Sequence, residues 1–512
     1  MTDRTSGNPT AETSDDTKAK GFSISSSMHK GMVWNFINFF FSQGAGFFIF
    51  LVLALKLDPT IFGIIALSTI LADMITNEGR YACMDTILQA DKFDDGYLNT
   101  SFWSFTFITV LCSLALFIAT PYAAAAYDSE LINKFLPVFA LVLLPIPWLA
   151  VMDALIMRDL GFKTLTIRNI SGTVIGGVAG IIVAFSPWNI WALVVQRIVT
   201  LLVAIILEYH FTRWLPKFQF SLSLHAKDFL KRFTSLWSIA LLSQALMRVS
   251  TLVFGLRFDA YTVGLVRAAH RIIDSLNGPL ISPLMGLWFP LMAKVRGQKP
   301  KERRIYTSIL QSATFTCLPA FTGLAFVAPD LVSLMLSDKY AGTGPIVQSM
   351  SLAALTIPLT MFTPIAMSSL GFNKQSLIYT AMTTISCIIT LFALPQLSVS
   401  ELIIVLAFPT LFLSIGGMIY INKKLELPNI EHIMGLAPAI IGAALMAIAL
   451  YFVRIQAADL PTLLLLICSV GTGVVVYTAY LGIFHLKWAK SQINTILGKE
   501  SPDNIDAADG SL

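Results

Sequence analysis

Residues 260–293 read AYTVGLVRAAHRIIDSLNGPLISPLMGLWFPLMA. The run is apolar and exceeds the ~20 residues that a helix needs to cross a bilayer. Near its start it carries Arg267, His270, Arg271 and Asp274. These fall at i, i+3, i+4 and i+7, so an α-helix gathers them on one face. On an insertion scale each charge costs roughly 2.5–3.5 kcal/mol at the bilayer centre. The pattern predicts a membrane helix whose charged face looks into a wet, protein-lined cavity. Pro279 and Pro283 predict a kink after the charged half.

The rest of the chain fits that reading. Of 512 residues, 55% are apolar and 13% charged, against about 25% charged in a soluble domain. The composition predicts an all-α polytopic membrane protein. Apolar runs near 31–55, 59–79, 98–121, 131–157, 166–185, 188–210, 233–256, 260–293, 305–327, 343–370, 375–394, 401–421, 433–453 and 461–485 predict about fourteen spans. Residues 1–30 are rich in Ser, Thr, Asp and Lys and read as a disordered tail. No short apolar segment with a small-residue cleavage site follows it, so the first span serves as the insertion signal. Residues 328–344 suggest a short amphipathic helix on the outer surface.

Lys and Arg set the orientation. On this span assignment 26 of the 35 basic residues fall on one side, including Arg158, Lys163, Arg168 and the run Lys294 to Arg304. The other side holds Lys56, Lys134, Arg257, Lys339 and Arg454. That bias places both termini in the cytoplasm. The net charge of +5 is small, and nothing points to nucleic acid. Five scattered cysteines without CxxC spacing support neither a disulfide framework nor a metal site. There is no nucleophile constellation, phosphate-binding Gly loop or HExxH, so neither catalysis nor a cofactor is expected.

An internal repeat is visible. At an offset of 201, Ser42-Gln43 matches Ser243-Gln244, Lys56 matches Arg257, Asp58 matches Asp259, Gly63 matches Gly264 and Asp73 matches Asp274. At an offset of 210, Met157-x-x-Leu160-Gly161-Phe162 recurs as Met367-x-x-Leu370-Gly371-Phe372. An offset of six spans preserves orientation, so the repeat is parallel. It predicts an N-lobe at 31–212, a basic linker at 213–232, a C-lobe at 233–422, an additional helix pair at 423–485 and a cytoplasmic tail at 486–512.

Two such lobes suggest alternating access with the substrate path between them. The cations are unequally shared. Arg248, Arg267, His270 and Arg271 match Phe47, Ala66, Thr69 and Ile70, and Arg197 is the buried Arg of the first lobe. Guanidinium forks suit phosphate oxygens. The competing reading is that Arg267 and Arg271 merely pair with Asp274. Asp73, Asp274 and Asp153 are candidates for H+ or Na+ coupling, whereas Glu78 and Glu208 read as interfacial and solvated. Asn35, Asn38 and Ser42 share a face with Gln43 adjacent, and Gln244 lies one turn from Arg248. These amides suit either sugar hydroxyls or contacts between helices. The Phe-rich run around Phe39 to Phe48 reads as lipid-facing or packed, and Trp188, Trp191 and Trp214 as interfacial belt residues.

The stretch Phe47 to Leu67, FFIFLVLALKLDPTIFGIIAL, resembles the opening signature of bacterial polysaccharide exporters. These are the Wzx-like flippases of the MOP superfamily. Arg158-Asp-Leu-Gly-Phe162 and Trp191-Ala-Leu-Val-Val-Gln196 resemble later signatures of the same group. The resemblance covers about 31–422 and implies a flippase for undecaprenyl-pyrophosphate-linked oligosaccharide in the bacterial inner membrane, working with membrane lipid, a polysaccharide polymerase and glycosyltransferases. Many such flippases have twelve spans; the additional pair is similar to lipid II flippases. The rival readings are a MATE-like multidrug antiporter, which would favour an acidic cavity, and a non-transporting scaffold of a glycan-synthesis complex.

Overall fold

The computed structural model describes residues 34–496 apart from 35, 36, 39, 91–93, 219–224 and 458. The expected tail at 1–30, Asn35, Phe39 and residues 497–512 lie outside the described residues. Among the described residues there is no β-strand. The helices in chain order are α1 (Phe40–Ala54), α2 (Pro59–Asp73), α3 (Gly79–Leu88), α4 (Asp95–Ala126), α5 (Glu130–Val142) and α6 (Ile146–Arg158). Next come α7 (Phe162–Ala184), α8 (Ala192–Thr212), α9 (His225–Arg257), α10 (Ala260–Lys294), α11 (Lys299–Met335) and α12 (Thr343–Ala354). The last are α13 (Ile357–Ser369), α14 (Asn373–Ala393), α15 (Val399–Leu425), α16 (Asn429–Gln456), α17 (Thr462–Phe484) and α18 (Leu486–Ile496).

Among the described residues eight helices are long and apolar enough to cross a membrane, and up to eleven spans result if three broken pairs count as one each. The pairs are α2–α3, α5–α6 and α12–α13, the last bent by 49°. With α1, α9 and α10, every expected span coincides with a helix or broken pair, which is consistent with fourteen. The chain is a multi-pass membrane protein. Its outward apolar surface follows from that: Phe40, Phe41 and Phe48 are exposed, as expected of lipid-facing rings.

Three local expectations change. Residues 328–344 do not form a separate amphipathic helix. Instead α11 runs unbroken through Pro319 and Pro329 to Met335, and a 3-10 turn follows at Asp338–Tyr340. Beside Pro329, Arg454 donates to the Phe326 carbonyl and, at 2.6 Å, to Asp330. The linker is shorter than 213–232, because α9 begins at His225. The first part of the expected tail, 486–496, is the helix α18. Pro279 and Pro283 sit within an α10 that is helical throughout.

The chain divides into two compact units. The first comprises Met1–Ile49, Ile75–Phe117 and Val138–Ser238. Its core stacks Phe229, Phe233 and Trp237, with Phe105 tilted against Phe233. Glycines let α7 and α8 approach closely. A Cβ on Gly176 would lie 2.0 Å from Thr200 Oγ1, and that hydroxyl donates to the Gly172 carbonyl at 3.1 Å.

The second unit comprises Phe50–Met74, Ile118–Pro137 and Ile239–Leu512. In it the repeat becomes geometry. A Cβ on Gly63 would lie 1.9 Å from the Ala260 carbonyl oxygen, and one on Gly264 would lie 1.8 Å from the Pro59 carbonyl oxygen. Pro59 and Ala260 are themselves repeat equivalents. So α2 and α10 cross about a pseudo-twofold point at which each backbone lies on the other's glycine, the small-xxx-small device of membrane helices. Around the same place Tyr340, fully buried, donates to the Leu57 carbonyl at 3.1 Å. Asp259 caps α10 by accepting from Thr262 N at 3.0 Å. Its neighbour Arg257 donates to the carbonyls of Leu391, Leu394 and Leu397, sealing the end of α14.

The second repeated motif ends α6 and α13. In both, a backbone N–H reaches back five residues: Gly161 to Ile156 at 2.9 Å, and Phe372 to Met367 at 2.7 Å. The left-handed residue is Leu160 in one and Gly371 in the other, so the same cap has slipped by one position.

The helix pair α16–α17 packs on α11. Tyr477 lies against Gly442 and donates to the Phe315 carbonyl at 3.0 Å. The helix α18 docks on the same α11 through Ser312 to Gln492 at 2.8 Å and Ser308 with Thr495 at 3.0 Å.

Two expectations follow. Gly63→Ala or Gly264→Ala should force the α2–α10 backbones apart, at a cost of about 1–3 kcal/mol. The thermal unfolding midpoint in detergent should fall for both. Gly416→Ala, where a Cβ meets nothing within 4 Å, should leave it unchanged. Equal midpoints for all three variants would remove the crossing as a stabilising contact. Arg257→Ala should cost about 2 kcal/mol by orphaning three carbonyls, visible in the same assay, with Arg257→Lys intermediate.

Candidate functional site

The charged face predicted on α10 exists as a face. Ala268, Ala269, Ile272 and Ile273 are buried on one side of the helix. On the other side Arg267, His270 and Asp274 are exposed and Arg271 is half-buried. Four ionisable groups therefore span two turns, about 10 Å, at 1.5 Å per residue. Asp274 attracts both His270 and Arg271 electrostatically. Among the described residues, however, neither Arg271 nor Asp274 makes an ion pair or hydrogen bond. Arg271 and Asp274 on a membrane helix thus keep hydrogen-bonding capacity open among the described residues. Hydrocarbon cannot satisfy it; water or an anionic ligand can.

The other candidates fall in several places. Arg248 belongs to α9, and its side chain lies outside the described residues. Gln244, on the same helix, is half-buried. Asn38 and Gln43 are half-buried, and Ser42 Oγ donates to Asn38 Oδ1 at 3.2 Å. That bond is local, within one helix. The Arg197 guanidinium lies over the Phe139 ring at 5.7 Å, a cation–π contact. Asp73 closes α2, half-buried, just before the π-helical turn Met74–Glu78.

Asp153 has a different setting. It is buried on α6 between two guanidinium groups. Arg80 on α3 donates to Oδ2 at 2.6 Å and Arg168 on α7 donates to Oδ1 at 2.7 Å. The same Arg168 nitrogen also meets Glu208 Oε1 on α8. Glu208 is fully buried, which corrects the expectation that it is interfacial and solvated. Arg168, counted among the loop cations above, is buried too. The cluster Arg80–Asp153–Arg168–Glu208 joins four helices of the first unit with two positive and two negative charges. Sequence reading missed its basic half. The available signal was two opposite charges, Arg168 and Glu208, each about one turn inside an apolar helix.

The interfacial Trp expectation divides. Trp188 is exposed, while Trp214 is half-buried and packs edge-on against Phe102.

Comparison with known proteins gives these features a context. The chain is 22% identical over 316 residues to the succinoglycan biosynthesis transport protein ExoT of Rhizobium meliloti, covering 61% of this chain and 63% of that protein. It is 22% identical over 336 residues to the lipopolysaccharide biosynthesis protein WzxC of Escherichia coli, covering 64% and 66%. The matched regions thus span just under two thirds of these relatives. In fold it is similar to the lipid II flippase MurJ in an inward closed conformation, with a TM-score of 0.71, 15% identity, and coverage of 89% of this chain and 99% of that one. The sequence profile of the polysaccharide biosynthesis protein family matches residues 52–345, more than half of the chain. The protein belongs to that polysaccharide biosynthesis protein family.

Proposed function

We propose that the protein is a flippase that moves a lipid-linked oligosaccharide across the bacterial cytoplasmic membrane, from the inner to the outer leaflet, for surface polysaccharide assembly. The observation that carries this reading is the exposed cationic face of α10, with Arg271 making no hydrogen bond or ion pair among the described residues. The names of the matched relatives, a succinoglycan transport protein and a lipopolysaccharide biosynthesis protein, support a glycan cargo. An undecaprenyl pyrophosphate carrier supplies the anionic end that such a face would recognise. Arg267 and Arg271 would contact the phosphate oxygens by forked, charge-assisted hydrogen bonds. The amides of Gln244, Gln43 and Asn38 are of a type that suits sugar hydroxyls.

Energetics favour outward movement. A head group with about two negative charges, leaving a negative interior, gains roughly 4–5 kcal/mol per 100 mV. The potential alone could then drive export, and a coupling ion would serve to reset the carrier. The basic bias of the loops supports cytoplasmic termini. A polymerase and glycosyltransferases are the expected neighbours in the pathway, because a translocated repeat unit must be made on one side and polymerised on the other. The protein itself is a transporter and not an enzyme.

Transport of a defined lipid-linked oligosaccharide in proteoliposomes tests the reading. Arg271→Ala should lower the initial rate about ten- to a hundredfold, the equivalent of one lost charge-assisted contact, and Arg271→Lys should retain part of it. Full activity in Arg271→Ala would remove this face as the head-group site. Absence of transport in the wild type would remove the flippase reading itself.

A further inference from the structure

We propose that the Glu208 carboxyl is a proton-binding site, and that it takes up and releases a proton during the transport cycle. The first half stands on the geometry of the buried cluster. The second half rests on the flippase reading above.

Asp153 has all its needs met. Each of its oxygens receives a guanidinium hydrogen bond, from Arg80 at 2.6 Å and from Arg168 at 2.7 Å. Each nitrogen of Arg168 donates as well. Its Nε and Nη2 donate to Asn169 Oδ1 at 3.1 and 2.8 Å, and its Nη1 serves both carboxylates. Glu208 is the member left short. Its Oε1 shares the one Arg168 nitrogen with Asp153, and its Oε2 is buried with no hydrogen-bond partner among the described residues. Glu208 is also the most deeply buried of the four, at 0% exposure.

A carboxylate in that position has one strong contact, one orphaned oxygen and a second carboxylate drawn to the same nitrogen. Burial and a like charge both disfavour the ionised form. A proton on Oε2 removes both penalties. It turns Glu208 into a neutral acid that still accepts from Arg168 through Oε1. The step balances simply: a water-borne proton joins the carboxylate to give the acid, and no electron moves. Its charge consequence is local. The cluster is neutral with Glu208 ionised and carries one positive charge with Glu208 protonated.

The groups facing Glu208 come from each helix of the cluster: Arg80 on α3, Asp153 on α6 and Arg168 on α7. Tyr81 and Cys83, also on α3, act on Arg168 and Asp153 respectively. Among the four ion-paired groups, Arg80 has the most exposed side chain, at 20%, so it marks the route by which a proton enters. Glu208 lies four residues from the end of α8, about 6 Å along the axis. Asp153 lies five from the end of α6. The site is therefore near one membrane face, the one that carries Arg158 and Arg213.

Proton uptake also has a mechanical meaning. In the cluster, α8 is tied to α6 and α7 through Glu208 alone. Protonation replaces a charge-assisted contact with a weaker neutral one, loosening that tie while the Arg80–Asp153–Arg168 part stays paired.

Infrared difference spectroscopy of the purified protein on a pH change tests the site without any substrate. The carbonyl stretch of a protonated carboxylic acid should appear in the wild type as pH falls and be missing in Glu208→Gln. Should that variant fail to fold, Glu208→Asp must shift the band in frequency, since it moves the carboxyl by one methylene. A band unaltered by either change, or no titrating band in the wild type, overturns the proposal. Coupling is read separately in proteoliposomes as the ratio of rates with and without a pH gradient. One coupled proton allows up to about tenfold per pH unit in the wild type, and Glu208→Gln should bring the ratio to one. An unchanged ratio in Glu208→Gln overturns the coupling half. A wild type with no transport at all would instead count against the flippase reading and leave the infrared result standing.

Discussion

A guanidinium in a membrane must be bonded to protein or to water, because hydrocarbon offers neither acceptors nor dielectric screening. The chain meets this constraint in two contrasting ways. In the first unit, Arg80 and Arg168 are enclosed with Asp153 and Glu208 in a neutral, mutually bonded set. Removing one member of such a set typically costs about 3–5 kcal/mol, because it strands the others. In the second unit, the α10 face carries more positive than negative groups and leaves Arg271 without a hydrogen bond or ion pair among the described residues. The first arrangement is closed and the second is open. A closed cluster holds helices together and can store at most a proton. An open cationic face needs water or an anion opposite it.

The helices themselves are held by a different force. Lipid tails are as apolar as leucine, so burial gives little drive between membrane helices and close packing has to supply it. The chain places glycine where backbones touch. Gly176 lets Thr200 of α8 against α7, and Gly63 and Gly264 let α2 and α10 meet. The latter contact is symmetric under the internal repeat, down to Pro59 and Ala260. The charges on α10 are not: Arg267, His270 and Arg271 stand where α2 has Ala66, Thr69 and Ile70. One pair of helices thus combines a crossing that the repeat conserves with a surface that it does not. Packing and charge are separated along α10, with the glycine contact near its start and the cationic face in the next turns.

Much of this was legible in the sequence because it depends on one-dimensional quantities. Span positions follow from apolar run length, the face from 3.6-residue periodicity, and the repeat from offsets of 201 and 210. What was not legible depends on depth and partners. Arg168 was read as a loop cation and Glu208 as solvated, since each stands near a span end. Their burial follows only when α6, α7 and α8 are brought together. The α11 helix outran its expected end near 327, running on to Met335. Within that continuation Arg454 bonds the Phe326 carbonyl and Asp330, contacts that lie far apart in sequence. Residues 486–496 were read as tail because they are polar. They form α18 because that polarity is matched by Ser308 and Ser312 on α11.

Arg257 shows why an intramembrane or near-membrane arginine is weak evidence of a binding site by itself. It stands at the repeat position of Lys56 and adds a cation fork that the ammonium lacks. Yet its three acceptors are backbone carbonyls at the end of α14. Its role is to finish a helix whose last carbonyls have no partner within the helix. By residue type and neighbourhood it resembles Arg271. What separates them is the identity of their acceptors. Arg257 has protein acceptors and is accounted for by them, whereas Arg271 has none among the described residues and sits on the exposed side of its helix. Partner identity, rather than the count of charges in a span, is therefore the criterion that separates Arg271 from Arg257.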